Sequence, residues 1–417
     1  MRNVSFSSHR AHPILSIVLA GGEGKRLMPL TTDRAKPAVP FGGNYRLIDF
    51  ALSNLANGGF RRIVVLTQYK SHSLDVHVSR TWQLSSILGN YVTTVPAQMR
   101  KGPRWFQGSA DALFQNFNLL DDERPEHVIV FGADHIYRLD PRQMLAAHIA
   151  SGAGVTVAGI RVDASEAFQF GVIEKAGDSD RVVAFHEKNP DAPRLDDAPD
   201  QVLASMGNYI FDAEAFRDVI SADAEDPDSN HDVGGDIIPR MVADGSAHVY
   251  DYTLNKVPGA EPGQEHYWRD VGTLDSYYEA HMDLVAPLPK FSLYNRLWPI
   301  FTQSVTAPPT KIVDASDGPC SVSNSILSNG VILSGANCTD SVLSRYVTIE
   351  NAEVHQSVLL QNVTVESGAR LRKCIIDKNV VVPAGVSIGY DKAADAERFT
   401  VSDNGVVAVP KGYVFDS

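Results

Sequence analysis

Residues 17–27 read Ile17-Val18-Leu19-Ala20-Gly21-Gly22-Glu23-Gly24-Lys25-Arg26-Leu27, and Lys36-Pro37 follow shortly after. A short β-rich apolar run enters a glycine loop, and cations come next. Glycines let the chain turn tightly and bring bare N–H groups against anionic oxygens. A helix opening just downstream adds positive potential, and Lys25, Arg26 and Lys36 bring charge that backbone dipoles lack. The loop is suited to wrapping a polyphosphate, yet it fits neither common phosphate loop. A Walker A loop needs Ser or Thr where Arg26 stands and glycine where Leu19 stands. A dinucleotide fingerprint needs glycine at Leu27. Taken alone, the stretch also reads as a ligand-free turn between strand and helix.

Up to about residue 285 strand-like and helix-like segments alternate. Residues 17–19, 63–66, 127–131 and 155–160 read as short buried strands, and 47–57, 110–120 and 141–151 as helices. This predicts an α/β layer with a mixed, mostly parallel sheet. Ligands collect at the carboxyl ends of such strands, where Gly21-Gly22 and Gly132-Ala133-Asp134 both fall. Residues 287–312 carry Pro287, Pro289, Pro299, Pro308 and Pro309 and read as a linker. Within it Leu293, Leu297, Trp298 and Ile300 are expected to pack against something.

Past the linker the pattern changes. Ser325-Ile326-Leu327, Ser341-Val342-Leu343 and Ser357-Val358-Leu359 recur every 16 residues, as do Val331, Val347 and Val363. Cys374-Ile375 follows Val358-Leu359 at the same step. Apolar positions at a fixed period, with Asn and Gly turns between them, predict a stacked parallel β-helix over 313–417. Its role reads as structural and assembly-related, and Cys374 as a small core residue.

The whole chain has 417 residues and a formal charge of −13, with 21% charged residues. That argues against a broad nucleic-acid or anionic-membrane surface while leaving room for local basic pockets. Cys320, Cys338 and Cys374 form no Cys-x-x-Cys pair, which fits a reducing cytoplasm and no disulfide framework. No export signal or membrane span is read.

Asp134 follows an apolar run, where a carboxylate is placed to hold Mg²⁺ together with phosphate oxygens. The alternative, an N-cap for the helix over 141–151, suits Asp140 better. Asp270, in Tyr267-Trp268-Arg269-Asp270-Val271-Gly272-Thr273, is a second such carboxylate, or else a cap or a partner for an arginine. Lys188 ends an apolar strand before a proline turn and is either a phosphate ligand or a solvated lysine. His135 and His186 read as hydrogen-bonding neighbours.

Together these motifs resemble the bacterial glucose-1-phosphate adenylyltransferases. The resemblance runs from Ile17 to about Phe399 and rests on several motifs in order. They are Gly-Gly-x-Gly-x-Arg-Leu at 21–27, Arg-Ala-Lys-Pro at 34–37, Phe41-Gly42-Gly43, and the run from Arg46 through Asp49-Phe50 to Asn54. Thr67-Gln68-Tyr69, Gly108-Ser109-Ala110-Asp111-Ala112, Gly132–Tyr137, Ser205-Met206-Gly207 and Tyr267–Thr273 complete the set. The resemblance implies a nucleotidyltransferase-type, Rossmann-like α/β domain at 1–286 followed by a left-handed β-helix, in homotetramers. It implies the reaction of ATP with glucose 1-phosphate to give ADP-glucose and pyrophosphate, the committed and allosterically regulated step of glycogen or α-glucan synthesis. Asp134 and Asp270 would hold Mg²⁺. Arg26, Lys36 and the loop glycines Gly21, Gly22 and Gly24 would hold the nucleotide phosphates, with Gln98, Gly108 and Asp111 nearby. Lys188 would clamp the sugar phosphate, and Phe106, Gly171, Glu187 and Ser205 would line its pocket. The attacking phosphate is already anionic, so no general base is needed.

Some positions depart from the family pattern. Phe106 replaces a tyrosine found in many relatives. Asp33 stands where enteric relatives activated by fructose 1,6-bisphosphate carry a lysine, Pro40 stands where they carry a histidine, and their arginine-rich tail is missing. Arg34, Arg46 and Arg398 remain as candidates for a regulatory anion site. Three rival readings are an enzyme for another base or sugar, a catalytically weakened regulatory subunit, and an acyltransferase in the β-helix. The charged residues are all present, which counters the second. His355 is the sole histidine after residue 281, which counters the third.

Overall fold

The computed structural model describes residues 13–98, 104–261, 266–316 and 318–415. At its centre the strand Ile14–Ala20 lies between Arg62–Thr67 and His127–Gly132, parallel to both. Tyr91–Pro96 adds a further parallel strand beyond Arg62–Thr67. On the other side the long strand Gln201–Asp212 runs antiparallel to His127–Gly132 and carries Val155–Asp163, Ala247–Asp251 and the hairpin Gly171–Lys175/Val182–Glu187. The result is a nine-stranded mixed sheet whose loop-bearing half is wholly parallel. Alternate residues of the central strand enter different cores, Val18 and Ala20 on one face and Leu15 and Ile17 on the other. Burial on both faces explains why the central strands read as unbroken apolar runs.

Helices cover these faces at Ile48–Asn57 and Pro141–Ser151 on one side and at Ala213–Ala224 on the other. Asp140 caps the second, its carboxylate accepting from Arg142 N at 3.0 Å. Two expectations are corrected. The helix over 110–120 is broken into Ser109–Phe114 and Asn118–Glu123. Asn116 Nδ2 takes the Ala112 carbonyl at 2.8 Å, and such side-chain competition ends helices. After the glycine loop there is only a single 3₁₀ turn, Lys25–Leu27, because Pro29 cannot continue it.

Beyond the linker, three sheets of stacked parallel strands form the sides of a β-helix with five coils, one sheet ending in an antiparallel strand, Thr400–Val401. The serines build a ladder: Ser341 N bonds Ser325 Oγ at 3.1 Å, and Ser357 N bonds Ser341 Oγ at 3.1 Å. At the next coil the register shifts. Val358 pairs with Ile375 and Leu359 with Ile376, so the step there is 17 residues, and Cys374 succeeds Ser357 rather than Val358. Thr348 still meets Thr364 whereas Glu353 meets Arg370, which places the extra residue in the corner before Arg370. Cys374 is fully buried, and burial pushes its thiol up to about 12. Phe399, Tyr413 and Phe415 close the far end of this core.

The β-helix docks on the α/β half through its outward row Val358, Ile375 and Ala408, which packs with Leu27, Phe41, Tyr277 and Leu284. From the linker, Trp298 and Ile300 are buried and Trp298 Nε1 donates to Asn54 Oδ1 at 3.1 Å. Leu297, expected to pack, is 71% exposed. His281 sits in the docking core. Its Nε2 accepts from Gly42 N–H at 3.1 Å, which leaves Nδ1 to donate to the Tyr277 carbonyl at 2.9 Å. Burial holds this imidazole down to about 4. An unfolded chain, at about 6.5, takes up the proton first. Stability is therefore intact above pH ~6.5 and falls as pH drops toward the folded value. Urea midpoints should decline over that window, and less steeply in His281→Leu.

Candidate active site

Parallel register assembles the site. Leu19 pairs with Gly132, so the glycine loop and Asp134 leave neighbouring strands at the same end. A second device brings in the other carboxylate. Trp268–Asp270 pairs antiparallel with His135–Tyr137, setting Asp270 opposite His135. Asp134 and Asp270, far apart in sequence, then meet on one cation: Lys36 Nζ lies 2.9 Å from Asp134 Oδ2 and 2.7 Å from Asp270 Oδ1. Burial alone would lift the Asp134 carboxyl, but the Lys36 and His135 charges outweigh it and hold it well below the usual range. The alternatives for Asp270 fall away. Arg269 pairs with Glu279 and Asp283, and Thr273 caps the following helix.

Two clefts open on either side of the loop. One, of about 320 Å³, is lined by Gly22, Gly24, Arg26, Lys36, Asp134 and Gly272. Gly24 has φ +66°, and a Cβ there would come within 2.9 Å of Lys36 Cβ. Lys25 is turned to Glu23 at 2.9 Å. The other cleft, of about 350 Å³, has Leu19, Leu66 and Ala112 as apolar walls, with Gly21, Gln68, Phe106 and Gly108 around them. A Cβ on Gly108 would strike the His231 carbonyl at 2.2 Å.

The hairpin delivers a third group. Glu187 lies opposite Gly171, Ala204 opposite Val172, and Lys188 follows the strand end with φ +49°. Gly171, Glu187, Lys188 and Ser205 therefore converge. Gly171 has no room for a side chain, since a Cβ would meet the Phe185 ring at 2.3 Å. Lys188 is 64% exposed and contacts Glu187.

Not every expected residue faces these clefts. Phe106 does line the second cleft, where Gln68 pins its backbone, with Phe106 N donating to Gln68 Oε1 at 2.9 Å. Asp111 is 3% exposed. It accepts from Gln107 N at 2.9 Å and Gln115 Nε2 at 2.8 Å, so it holds the preceding loop rather than a ligand. Gln98 is exposed just past Tyr91–Pro96 and lines neither cleft. Asp232 was missed. It lines the second cleft, and a Cβ on neighbouring Gly234 would lie 3.4 Å from Asp232 Oδ1, 3.7 Å from Glu187 Oε2 and 3.7 Å from the Tyr209 hydroxyl. The glycine pair after Asp232-Val233 was the available signal.

The regulatory candidates separate. Arg34 is buried and pairs with Asp377 of the β-helix at 2.6 Å, while its second terminal nitrogen has no partner. Arg46 donates to the Ser73 carbonyl at 2.8 Å. Lys378 completes the group: burial and the Arg46 and Arg34 charges push its ammonium down to about 7. Asp33 is paired with Lys411. Arg398 instead pairs with Asp395 at 3.5 Å and covers the Phe399 ring, so the structure does not join it to Arg34. Lys378 was legible in the repeat, because it holds the same corner as Arg345, two coils earlier.

Comparison with known proteins agrees with this geometry. The nucleotidyl transferase family matches residues 15–286, and a GlmU-like C-terminal hexapeptide family matches 308–409. A glucose-1-phosphate adenylyltransferase of Mycolicibacterium vanbaalenii is 59% identical over 96% of this chain and 98% of its own length. The chain belongs to the glucose-1-phosphate adenylyltransferase family. Relatives of that name from Parafrankia sp. (56% identical, 97% of this chain and 98% of theirs) and Corynebacterium jeikeium (55%, 96% and 98%) show the same full-length match. As in its family, the chain couples a nucleotidyl transferase domain to a left-handed parallel β-helix. Among the described residues no helix is long and apolar enough to cross a membrane.

Proposed function

We propose that the protein transfers an adenylyl group from ATP to glucose 1-phosphate, releasing pyrophosphate and forming ADP-glucose for glycogen or another α-glucan. The observation that carries the reading is the convergence of Asp134, Asp270 and Lys36 beside the glycine loop, in a chain 55–59% identical to enzymes of that name. A sugar-phosphate oxygen attacks the α-phosphorus, and the bond from that phosphorus to the bridging oxygen breaks as pyrophosphate leaves. Such chemistry asks for positioning and charge neutralisation rather than a covalent nucleophile. Gly21, Gly22 and Gly24 would cradle the β- and γ-phosphates with Arg26. Lys188 would hold the attacking phosphate while Glu187, Ser205 and Gly171 fix the sugar.

Two carboxylates sharing one cation suit Mg²⁺, which usually takes one or two carboxylates plus substrate phosphates. Among the described residues no third His, Cys, Asp or Glu joins them, which fits that sparse ligand set. A bound Mg²⁺ would neutralise developing charge on the phosphates. The discriminating assay is pyrophosphate release with ATP, UTP, GTP and TTP against several sugar 1-phosphates. ATP with glucose 1-phosphate should be fastest, and a preference for another pair would overturn this reading.

The same proposal covers boundaries, assembly and regulation. Helix Leu274–Val285 and strand Lys311–Val313 support a catalytic domain at 1–286, a linker at 287–312 and a β-helix at 313–417. Three free cysteines fit a cytoplasmic enzyme, and family membership fits a homotetramer. Arg34, Arg46 and Lys378 support a regulatory site for a phosphorylated effector. The Lys411 ammonium is engaged by Asp33, and Asp377 already neutralises Arg34, so fewer cations face a bisphosphate. Fructose 1,6-bisphosphate at micromolar levels should leave initial rates nearly unchanged, and strong activation would refute this.

A further inference from the structure

We infer that Lys36 is the resident counter-ion of the Asp134–Asp270 pair and gives up that place to a divalent cation, turning its ammonium into the adjoining cleft toward the nucleotide's phosphates. The inference rests on the reading of Asp134 and Asp270 as metal ligands. Lys36 is 7% exposed, and its ammonium lies 2.7 Å from one carboxylate and 2.9 Å from the other. A divalent ion would need the same carboxylate oxygens as ligands. An ammonium and a metal ion cannot bind those atoms together, because they would compete for the lone pairs and repel each other. The lysine has somewhere to go. Its flexible stem rises beside Gly24, and Lys36 itself lines the cleft of about 320 Å³ that Arg26 and the loop share. Removed from the carboxylates, its charge would be uncompensated until a polyphosphate fills that cleft. Metal without nucleotide therefore binds against a competitor, whereas metal with nucleotide does not, and each should tighten the other's binding.

Mn²⁺ binding to the nucleotide-free full chain, followed by calorimetry, tests this. Lys36→Met should bind Mn²⁺ about tenfold or more tighter than wild type, since one near charge no longer competes. Lys36→Arg, which keeps the cation, should stay close to wild type. Equal affinities in wild type and Lys36→Met would overturn the displacement. If Lys36→Met does not fold, amine labelling of wild type decides. Mn²⁺ alone should speed modification of Lys36 relative to Lys188, and a non-hydrolysable ATP analogue should slow it again. Labelling unchanged by Mn²⁺ would overturn it. Mn²⁺ binding that survives intact in Asp134→Asn would instead overturn the metal reading beneath it.

Discussion

Asp134→Asn should leave a folded protein whose kcat falls by about 10³-fold or more. Asparagine has nearly the shape of aspartate, and the Asp134 side chain is 32% exposed, so little packing is lost. The charge is what changes. The pair that would hold the cation drops from two carboxylates to one, while Lys36 keeps Asp270 at 2.7 Å. Charge neutralisation at a transferring phosphoryl group supplies several kcal/mol, and each 1.36 kcal/mol is tenfold in rate. Circular dichroism and melting should match wild type while turnover nearly vanishes. A variant within tenfold of wild type would remove Asp134 from the chemistry.

Lys188→Ala should act differently, raising KM for the sugar phosphate by roughly 10- to 100-fold while KM for ATP moves little. One charge-assisted hydrogen bond is worth about 1.5–3 kcal/mol, which sets that range. The side chain is 64% exposed and, among the described residues, its one ion pair is with its neighbour Glu187, so its loss should cost no measurable stability. Lys188 also sits at the end of the hairpin that carries Gly171 and Glu187, remote in sequence from the glycine loop. Separate effects on the two substrates would therefore report two half-sites. Equal increases in both KM values would contradict that division.

How much of this was readable beforehand depended on the range of the interaction. The parallel half of the sheet and the helix capped by Asp140 follow from local apolar runs and one capping residue, and both are present at nearly the expected bounds. The repeat of 16 holds for the early coils because stacked side chains must fall in register. It slips to 17 where a corner gains a residue, which periodicity cannot foresee. Asp111 illustrates the opposite failure. A motif match placed it at the nucleotide, whereas its buried carboxylate closes a local loop, accepting from Gln107 and Gln115 four residues away on either side. The pairing of Lys36 with both carboxylates was also beyond reach. It needs the register of two separate strand pairs, and no spacing in the chain encodes that meeting. Asp33, which stands where enteric relatives carry a lysine, is matched by Lys411 from the end of the β-helix, a partner that no local pattern announces.

The central claim is direct adenylyl transfer between two substrates held together at one site. It is tested most directly by giving the purified chain ATP and glucose 1-phosphate whose phosphate carries heavy oxygen, then weighing both products. We expect ADP-glucose to retain all of the label and pyrophosphate to carry none, with no pyrophosphate formed when the sugar phosphate is omitted. Label in pyrophosphate, or pyrophosphate released from ATP alone, would contradict the account.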